Sequence, residues 1–226
     1  MPDLKTPPAI LILEDGTIFN GTAFGRIGIA TGEICFNTGM TGYQEVFTDP
    51  SYFGQVLIMN NVHIGNYGVK AEDIESNAVK VKAVIGRNLE EKYSRFMAEA
   101  SLQDYFETEG IVAIDGIDTR NLVTHIRTQG AMNCIISSAT TDVEQLKKTL
   151  NKVPSMDGLE LASVVSTKEP YFMGDENSKL RIAVLDFGIK KNILNCLVER
   201  GAYVKVHNAK TGFEELEQFK PNGYFI

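Results

Sequence analysis

The sequence has no tryptophan, and only three cysteines and three histidines among its 226 residues. Cys35, Cys134 and Cys196 are widely separated and form no Cys-x-x-Cys pair, so the sequence predicts neither a disulfide framework nor a zinc site. This cysteine usage favours a reducing compartment, and we predict a cytoplasmic protein. We interpret the three cysteines as small buried hydrophobic residues rather than nucleophiles, because each lies within an apolar strand or helix pattern.

Long apolar runs are also missing. No stretch approaches the ~20 residues of a membrane span, and the N-terminal segment lacks the apolar core of a signal peptide. Basic residues number 22 against 29 acidic residues, which gives a formal net charge of -7. This balance argues against binding to nucleic acid or to an anionic membrane surface. We therefore predict that the ligands are small molecules or another protein.

Residues 1–153 have the pattern of one mixed β and α domain. Asp15-Gly16 between two apolar runs predicts a hairpin turn, and Asp118 and Gly130 predict the start and end of a helix. Short β-branched runs separated by turn residues predict further strands at 33–37, 55–59, 79–85, 111–114 and 133–137. Helices are predicted at 96–106, 119–129 and 143–151.

The pattern changes after residue 153. Residues 154–178 have weak periodicity and Pro and Gly punctuation, which predicts a linker with one short regular piece at 159–165. Residues 179–226 then read strand, helix, strand, helix, strand, the opening of a parallel doubly wound sheet. Because so few elements leave one face and one edge of such a sheet uncovered, we expect this domain to be incomplete and the 226 residues to be part of a longer polypeptide.

Asp186-Phe187-Gly188 matches the triplet that holds magnesium in protein kinases. The other kinase motifs are missing, so we reject that function. Instead, Gly188 predicts a tight bend after the first parallel strand. Asp186 then falls at the carboxyl end of that strand, where α/β sheets bind their ligands.

Two polar loops, at residues 39–43 and 61–68, are rich in glycine. Gly39, Gly42, Gly65 and Gly68 would let backbone amides approach a ligand or partner closely. A purely structural turn explains the same residues, and the sequence leaves both interpretations open.

Five segments, in this order, resemble the small subunit of glutamine-dependent carbamoyl phosphate synthetase, and the resemblance covers nearly the whole chain. Gly39 stands where many members of that family have serine. The segments are Phe36-Asn37-Thr38-Gly39-Met40-Thr41-Gly42-Tyr43-Gln44-Glu45, Thr48-Asp49-Pro50-Ser51-Tyr52, His63-Ile64-Gly65-Asn66, Ile117-Asp118-Thr119-Arg120 and Asp186-Phe187-Gly188-Ile189-Lys190-Lys191-Asn192-Ile193.

The resemblance implies an α/β protein with an N-terminal swivelling β/β/α domain at 1–153. After the linker, 179–226 would form the first half of a flavodoxin-like class I glutamine amidotransferase domain. It also implies a ligase subunit that hydrolyses glutamine and passes ammonia to a large subunit in a heterodimer. The large subunit makes carbamoyl phosphate from bicarbonate, using ATP and magnesium, for arginine or pyrimidine biosynthesis.

In that family a cysteine, a histidine and a glutamate carry out the hydrolysis. By the resemblance, the nucleophile and the base lie beyond Ile226, so we expect no catalytic residue, cofactor or metal site among these 226 residues. Ser51 matches the serine that reaches the glutamine site from the first domain. The alternative is a non-catalytic binding or assembly module, complete at 226 residues, that docks a partner through the loops at 39–43 and 61–68.

Overall fold

The computed structural model describes residues 6–226 and divides them into two compact units. The first unit contains the residues up to Thr48 together with Gly54–Gly158, and the second contains Asp49–Phe53 and Leu159–Ile226. Residues 1–5, which begin the segment without a signal-peptide pattern, lie outside the described residues. In the part of the chain that is described, no helix combines the length and apolar character needed to cross a membrane.

The first unit is built on seven strands that close into one continuous sheet. Their order around the sheet is β1-β2-β6-β5-β4-β3-β7, with β7 pairing back onto β1. Strands β3 to β6 run parallel to their neighbours within that group, and the other pairs are antiparallel. The strands are β1 (Pro8–Leu13), β2 (Ile18–Gly25), β3 (Ile29–Asn37), β4 (Val56–Met59), β5 (Ala83–Ile85), β6 (Val112–Asp115) and β7 (Asn133–Ser137).

The hairpin between β1 and β2 confirms the prediction made from Asp15-Gly16. Gly16 has a φ of 90°, a left-handed conformation that glycine adopts without strain. The Leu13 amide donates to the Thr17 carbonyl oxygen, and the Asp15 carboxylate accepts from the Thr17 amide, each at 2.9 Å. Five residue pairs from Pro8 with Thr22 to Ile12 with Ile18 then hold the register.

Side-chain alternation places the apolar residues of a strand in the closed sheet in different cores. Inward-facing residues such as Leu11, Ile58 and Ile114 fill the interior of the sheet. The alternate residues of β1 and β7, Ile10, Ile12 and Ile135, pack outside it against a helix. Because side chains alternate with a period of two, a one-residue slip would exchange the two sets.

Four helices complete the first unit: α1 (Tyr43–Thr48), α2 (Leu102–Glu109), α3 (Thr119–Gln129) and α4 (Val143–Leu150). The prediction for α3 is confirmed, with the Asp118 carboxylate accepting from the Asn121 amide and Gly130 following the last turn. The prediction of a helix from residue 96 was wrong by six residues. Ser101 caps α2 through the Asp104 amide, while Phe96 is 98% exposed.

Helix α1 differs from the polar loop that its sequence suggests. Tyr43 and Phe47, one turn apart, are both buried and anchor this short helix in the core. Their burial outweighs the weak helical preference of a segment that begins after two glycines. This is a case in which tertiary packing decides the local structure.

The second unit contains an open four-stranded sheet with the order β11-β9-β10-β8. Strands β9, β10 and β11 are parallel, which confirms the predicted strand arrangement, and β8 pairs antiparallel with β10. Val184 packs with Leu194 on one face, and Ala183 packs with Leu216 and Phe219 on the other. The elements are α5 (Ala162–Val165), β8 (Tyr171–Met173), β9 (Leu180–Asp186), α6 (Lys191–Glu199), β10 (Ala202–Asn208), α7 (Phe213–Gln218) and β11 (Gly223–Phe225).

Residues 154–178, predicted as a linker, include α5 and β8. The β8 strand has only three residues, too few for a detectable alternation, and it forms because β10 offers a free edge for pairing. The division of the chain into compact units falls at residues 158 and 159. The assignment of 1–153 and 179–226 as functional domains stays a prediction.

Candidate functional site

Ser51, the residue predicted to bind glutamine, lies in a single turn of 3-10 helix at Pro50–Tyr52, within the second unit. Asp49 precedes this turn with extended backbone angles, and its carboxylate Oδ1 accepts from the Ser51 amide at 2.9 Å. Pro50 at the first position has a ring geometry that suits the start of a helical turn. The local sequence Asp49-Pro50-Ser51 therefore sets the direction of the Ser51 side chain, which is exposed.

The second oxygen of Asp49 forms an ion pair that the sequence did not reveal. Asp49 Oδ2 lies 2.7 Å from Lys190 Nζ, and the Asp49 side chain is buried. Lys190 occupies the position immediately before α6. A buried carboxylate requires such a partner, because desolvation of an unpaired charge is strongly unfavourable. The pair therefore fixes the Ser51 turn beside the start of α6.

Gly188 confirms the predicted tight bend after β9 and explains why the Ser51 turn fits there. Its φ is 100°, and an added Cβ would lie 3.1 Å from the Cβ of Pro50 and 2.9 Å from Cγ2 of Val165. Any side chain at this position would therefore be strained and would also crowd the segment that carries Ser51. Gly188 is a packing requirement of the site.

Asp186 ends β9, as predicted, and its carboxylate organises the surrounding backbone. Oδ1 accepts from the amides of Gly188 and Ile189, each at 2.9 Å, and Oδ2 accepts from the Thr167 amide at 2.6 Å. Asp186 is buried, and these three donors compensate for the loss of water. We therefore assign Asp186 a structural role in holding the bend that positions Lys190.

The glycine-rich loops at 39–43 and 61–68 lie together in the first unit. The hydroxyl of Tyr67 accepts from the amides of Gly42 and Tyr43, and the Tyr43 hydroxyl donates to the Gly68 carbonyl oxygen at 2.5 Å. The two tyrosine rings stack with their centroids 4.1 Å apart. The amides of Gly42 and Tyr43 are thus used within the protein, which supports the interpretation of these loops as structural turns.

The loops also present apolar side chains to solvent. Met40 is 78% exposed, and its carbonyl oxygen accepts from Asn61 Nδ2 at 2.9 Å. Val62, the next residue along the second loop, is also exposed. The bond from Asn61 joins the two loops, and we call their two exposed apolar residues the Met40–Val62 surface.

Glu45 is a residue that sequence reasoning missed. Its Oε2 is buried without a hydrogen-bond partner. Burial first, and then the charges of Asp73 and Glu75, raise the pKa of this carboxyl. Its acidic neighbours lie about 30 residues away in sequence, so no local motif indicates the perturbation.

The cysteines and histidines do not form a nucleophile with a base in the described residues. Burial, and then the charge of Glu33, raise the pKa of Cys35 to about 12, and burial raises the pKa of the fully buried Cys134 as well. Cys134 confirms the prediction of a buried hydrophobic residue, whereas Cys35 and Cys196 are half-buried.

The three histidines differ in their surroundings. His125 Nε2 lies 2.6 Å from Asp15 Oδ2, and His63 Nδ1 lies 3.2 Å from Asn88 Nδ2. His207 is completely buried, and neither of its ring nitrogens has a hydrogen-bond partner. No three His, Cys, Asp or Glu side chains within residues 6–226 are grouped so as to hold a metal ion.

Comparison with known proteins adds an independent finding. The family described as "Carbamoyl-phosphate synthase small chain, CPSase domain" matches residues 11–136. The carbamoyl phosphate synthase small chain of Chlorobaculum tepidum is 43% identical over 97% of this chain and 60% of its own length. The Aquifex aeolicus protein of the same name is 42% identical, over 96% of this chain and 62% of its own length.

The chain thus spans about 60% of the length of the curated relatives it matches. Among solved structures, an aminopeptidase from Aneurinibacillus sp. strain AM-1 aligns with 94% of this chain and 51% of its own, at 11% identity and a TM-score of 0.33. That score is too low to carry an argument about fold or function.

Proposed function

This chain belongs to the carbamoyl-phosphate synthase small-chain family, and we propose that it is part of a glutamine-hydrolysing subunit that supplies ammonia to a large subunit. The large subunit would use that ammonia with bicarbonate and ATP, assisted by magnesium, to make carbamoyl phosphate in the cytoplasm. The product would serve arginine or pyrimidine biosynthesis. The observation that carries the proposal is the position of the Ser51 turn beside the carboxyl end of β9.

The parallel strands of the second unit support this function. Glutamine amide hydrolysis needs a nucleophile, a base and donors for the developing oxyanion. In doubly wound sheets, ligands bind outside the carboxyl ends of the strands. We propose that β9, β10 and β11 begin a flavodoxin-like amidotransferase sheet and that glutamine binds at this edge.

In this proposal the hydroxyl of Ser51 makes one hydrogen bond to bound glutamine. Its exposed side chain has room for such a contact, and the Asp49 cap fixes its backbone. The ion pair between Asp49 and Lys190 makes Lys190 a positioning residue for Ser51. The contribution of one hydrogen bond is ~0.5–1.5 kcal/mol, up to roughly tenfold in affinity.

We further propose that the large subunit contacts the first unit through the loops at 39–43 and 61–68. The exposed apolar Met40–Val62 surface supports this assignment, because aromatic and methionine side chains are enriched at protein interfaces. The backbone of both loops is already held by internal hydrogen bonds, so little ordering would be required on binding.

The test uses the complete protein of the encoding reading frame, assembled with its large subunit. ATP-dependent carbamoyl phosphate formation is measured with glutamine and, separately, with ammonium as the nitrogen source. We expect Ser51→Ala to raise the KM for glutamine by up to roughly tenfold, with the ammonium-dependent rate unchanged.

Two lysine variants serve as controls for positioning. Lys190→Met should raise the KM for glutamine in the same direction as Ser51→Ala, and Lys190→Arg, which keeps the ion pair with Asp49, should restore most of the loss. Unchanged glutamine dependence in Ser51→Ala would reduce Ser51 to a turn residue. Absence of glutamine-dependent synthesis in the unaltered complex would contradict the proposed function itself.

A further inference from the structure

The first unit contains a cavity of about 400 Å³ that no part of the proposed function uses. It lies between α2 and the segment 69–78, and Gln44 and Thr48 of α1 form its floor. Every residue that lines it belongs to the first unit. Gln44 and Val69, two of these residues, follow directly after the loops at 39–43 and 61–68. Two lining residues of the cavity therefore adjoin the proposed contact loops in sequence.

The floor of the cavity is already organised. The side-chain amide of Gln44 donates to the Lys70 carbonyl oxygen and accepts from the Lys70 amide, each at 2.8 Å. The hydroxyl of Thr48 accepts from the Glu75 amide at 2.9 Å and donates to the Gln44 carbonyl oxygen at 3.0 Å. Gln44 and Thr48 are both buried. Their polar groups are satisfied within the protein, so an apolar group could enter without leaving them unpaired.

The walls are mainly apolar. Val69, Ile74 and Ala100 supply aliphatic surface, and the exposed Ala78 lies at the edge of the opening. A linear alkyl chain suits such a surface, because its methylenes gain free energy when they leave water. A group with a polar end could keep that end at the rim, in water.

The charge at the cavity is negative. Of the lining residues that the structure describes, Glu99, Asp104 and Glu109 carry carboxylates and Lys70 carries the one ammonium group. That ammonium is already paired with Glu72. Burial, and then the charge of Glu109, raise the pKa of the Tyr105 hydroxyl to about 12.

An acidic side chain would be repelled by these carboxylates, and a purely apolar side chain would gain nothing from their charge. A lysine or arginine side chain matches both parts of the cavity, with its alkyl stem on the walls and its cation at the rim. Resting on the proposed function, we infer that this cavity receives a lysine or arginine side chain of the large subunit. The charge complementarity and the position of the cavity next to the proposed contact loops carry this inference.

Two substitutions test the two parts of the cavity separately. Ala78→Leu narrows the opening from the solvent side, and Glu109→Lys reverses the charge at the rim. Glu107→Lys is the matched control, because it makes the same charge change two residues earlier on α2, at an exposed position outside the cavity. Unchanged thermal unfolding would show that each variant remains folded.

Binding of each complete protein to the purified large subunit of the same organism is measured at low and high salt, about 50 and about 500 mM. We expect Ala78→Leu and Glu109→Lys to weaken binding by roughly tenfold or more at low salt. The loss in Glu109→Lys should shrink at high salt, and Glu107→Lys should change binding by no more than about twofold.

The outcomes separate this inference from the proposed function. If the unaltered protein binds and either test variant binds equally well, the inference is wrong and the proposed partnership stands. If the unaltered protein fails to bind the large subunit, both the proposed partnership and the inference about the cavity are contradicted.

Discussion

The first unit closes its sheet so that every strand has two neighbours, whereas β8 and β11 of the second unit each pair with one strand in the described residues. The first unit buries large side chains such as Phe47 and Phe106 completely. The second unit relies on small clusters on both faces of its sheet. Because edge strands and thin cores open more easily, we expect the first unit to be the more stable of the two and local opening to begin in the second.

An aromatic cluster partly compensates for the thin core of the second unit. The rings of Phe172 and Tyr203 stack with centroids 5.5 Å apart, and Phe219 lies 5.6 Å from Tyr203. The guanidinium of Arg181 lies 4.2 Å from the ring centroid of Phe219. Such a cation–π contact contributes roughly 0.5–1 kcal/mol at an exposed site, so it adds to the sheet without replacing a buried core.

The largest expected effect is that of Phe106→Ala in the first unit. Phe106 packs against Phe24 and Phe47, with ring centroids 6.0 and 5.2 Å away. Removing its ring should lower the free energy of unfolding by about 3–5 kcal/mol. Hydrogen exchange read by mass spectrometry should show the loss of protection throughout the closed sheet.

Leu194→Ala on α6 is the matched change in the second unit, since Leu194 is also buried. It should accelerate exchange in β9 and β10 and leave the first unit protected. If Leu194→Ala removed protection from both units equally, the chain would unfold as one cooperative block, and the contrast between the units would disappear.

A smaller effect is expected from pH, through His207 in the second unit. Burial, and then the positive charge of Lys205, lower the pKa of His207 below its ordinary value of 6.5, while Glu215 acts in the opposite direction. Below pH 6.5 His207 therefore binds a proton more readily in the unfolded chain than in the folded unit. The contribution of His207 to the free energy of unfolding is fully present above that pH and is lost as the pH falls toward the pKa of the folded state. The loss is about 1.4 kcal/mol for each pH unit by which the folded pKa lies below 6.5.

Urea unfolding of the second unit between pH 7.5 and 5 would measure this dependence, with exchange in β10 as the local signal. His207→Leu should flatten the pH profile, because leucine has no proton to bind. His63→Gln is the control, since His63 lies on an exposed loop of the first unit. A profile for His207→Leu as steep as that of the unaltered chain would contradict this account.

The smallest expected effect is none at all: a polypeptide of these 226 residues should release no ammonia from glutamine. Within residues 6–226 burial raises the pKa of Cys35 and of Cys134, His63 and His125 lie beside Asn88 and Asp15, and neither ring nitrogen of His207 has a hydrogen-bond partner. Ammonia release, with and without the large subunit, should equal a blank without protein. Turnover that disappears in Cys134→Ser or Cys196→Ser would show that the active site lies within these residues.

Much of the fold follows from local sequence patterns. The hairpin at Asp15-Gly16 and the caps of α3 are confirmed, because each depends on residues close together in the chain. The parallel strands of the second unit are also confirmed, because their apolar runs and the helices between them are each encoded locally. The errors lie where distant residues decide the outcome. Helix α2 begins later than predicted, at the Ser101 cap, and β8 exists because β10 has an edge to pair with.

Some features of the candidate site likewise follow from local sequence, and others require the folded chain. Sequence alone identified the family segments, the position of Asp186 at the end of a strand and the need for Gly188 in a bend. Only the tertiary structure paired Asp49 with Lys190 across 141 positions of sequence and revealed the cavity lined by Gln44 and acidic residues. Turns and caps are encoded by neighbouring residues, whereas ion pairs and cavities depend on distances that exist only after the chain has folded.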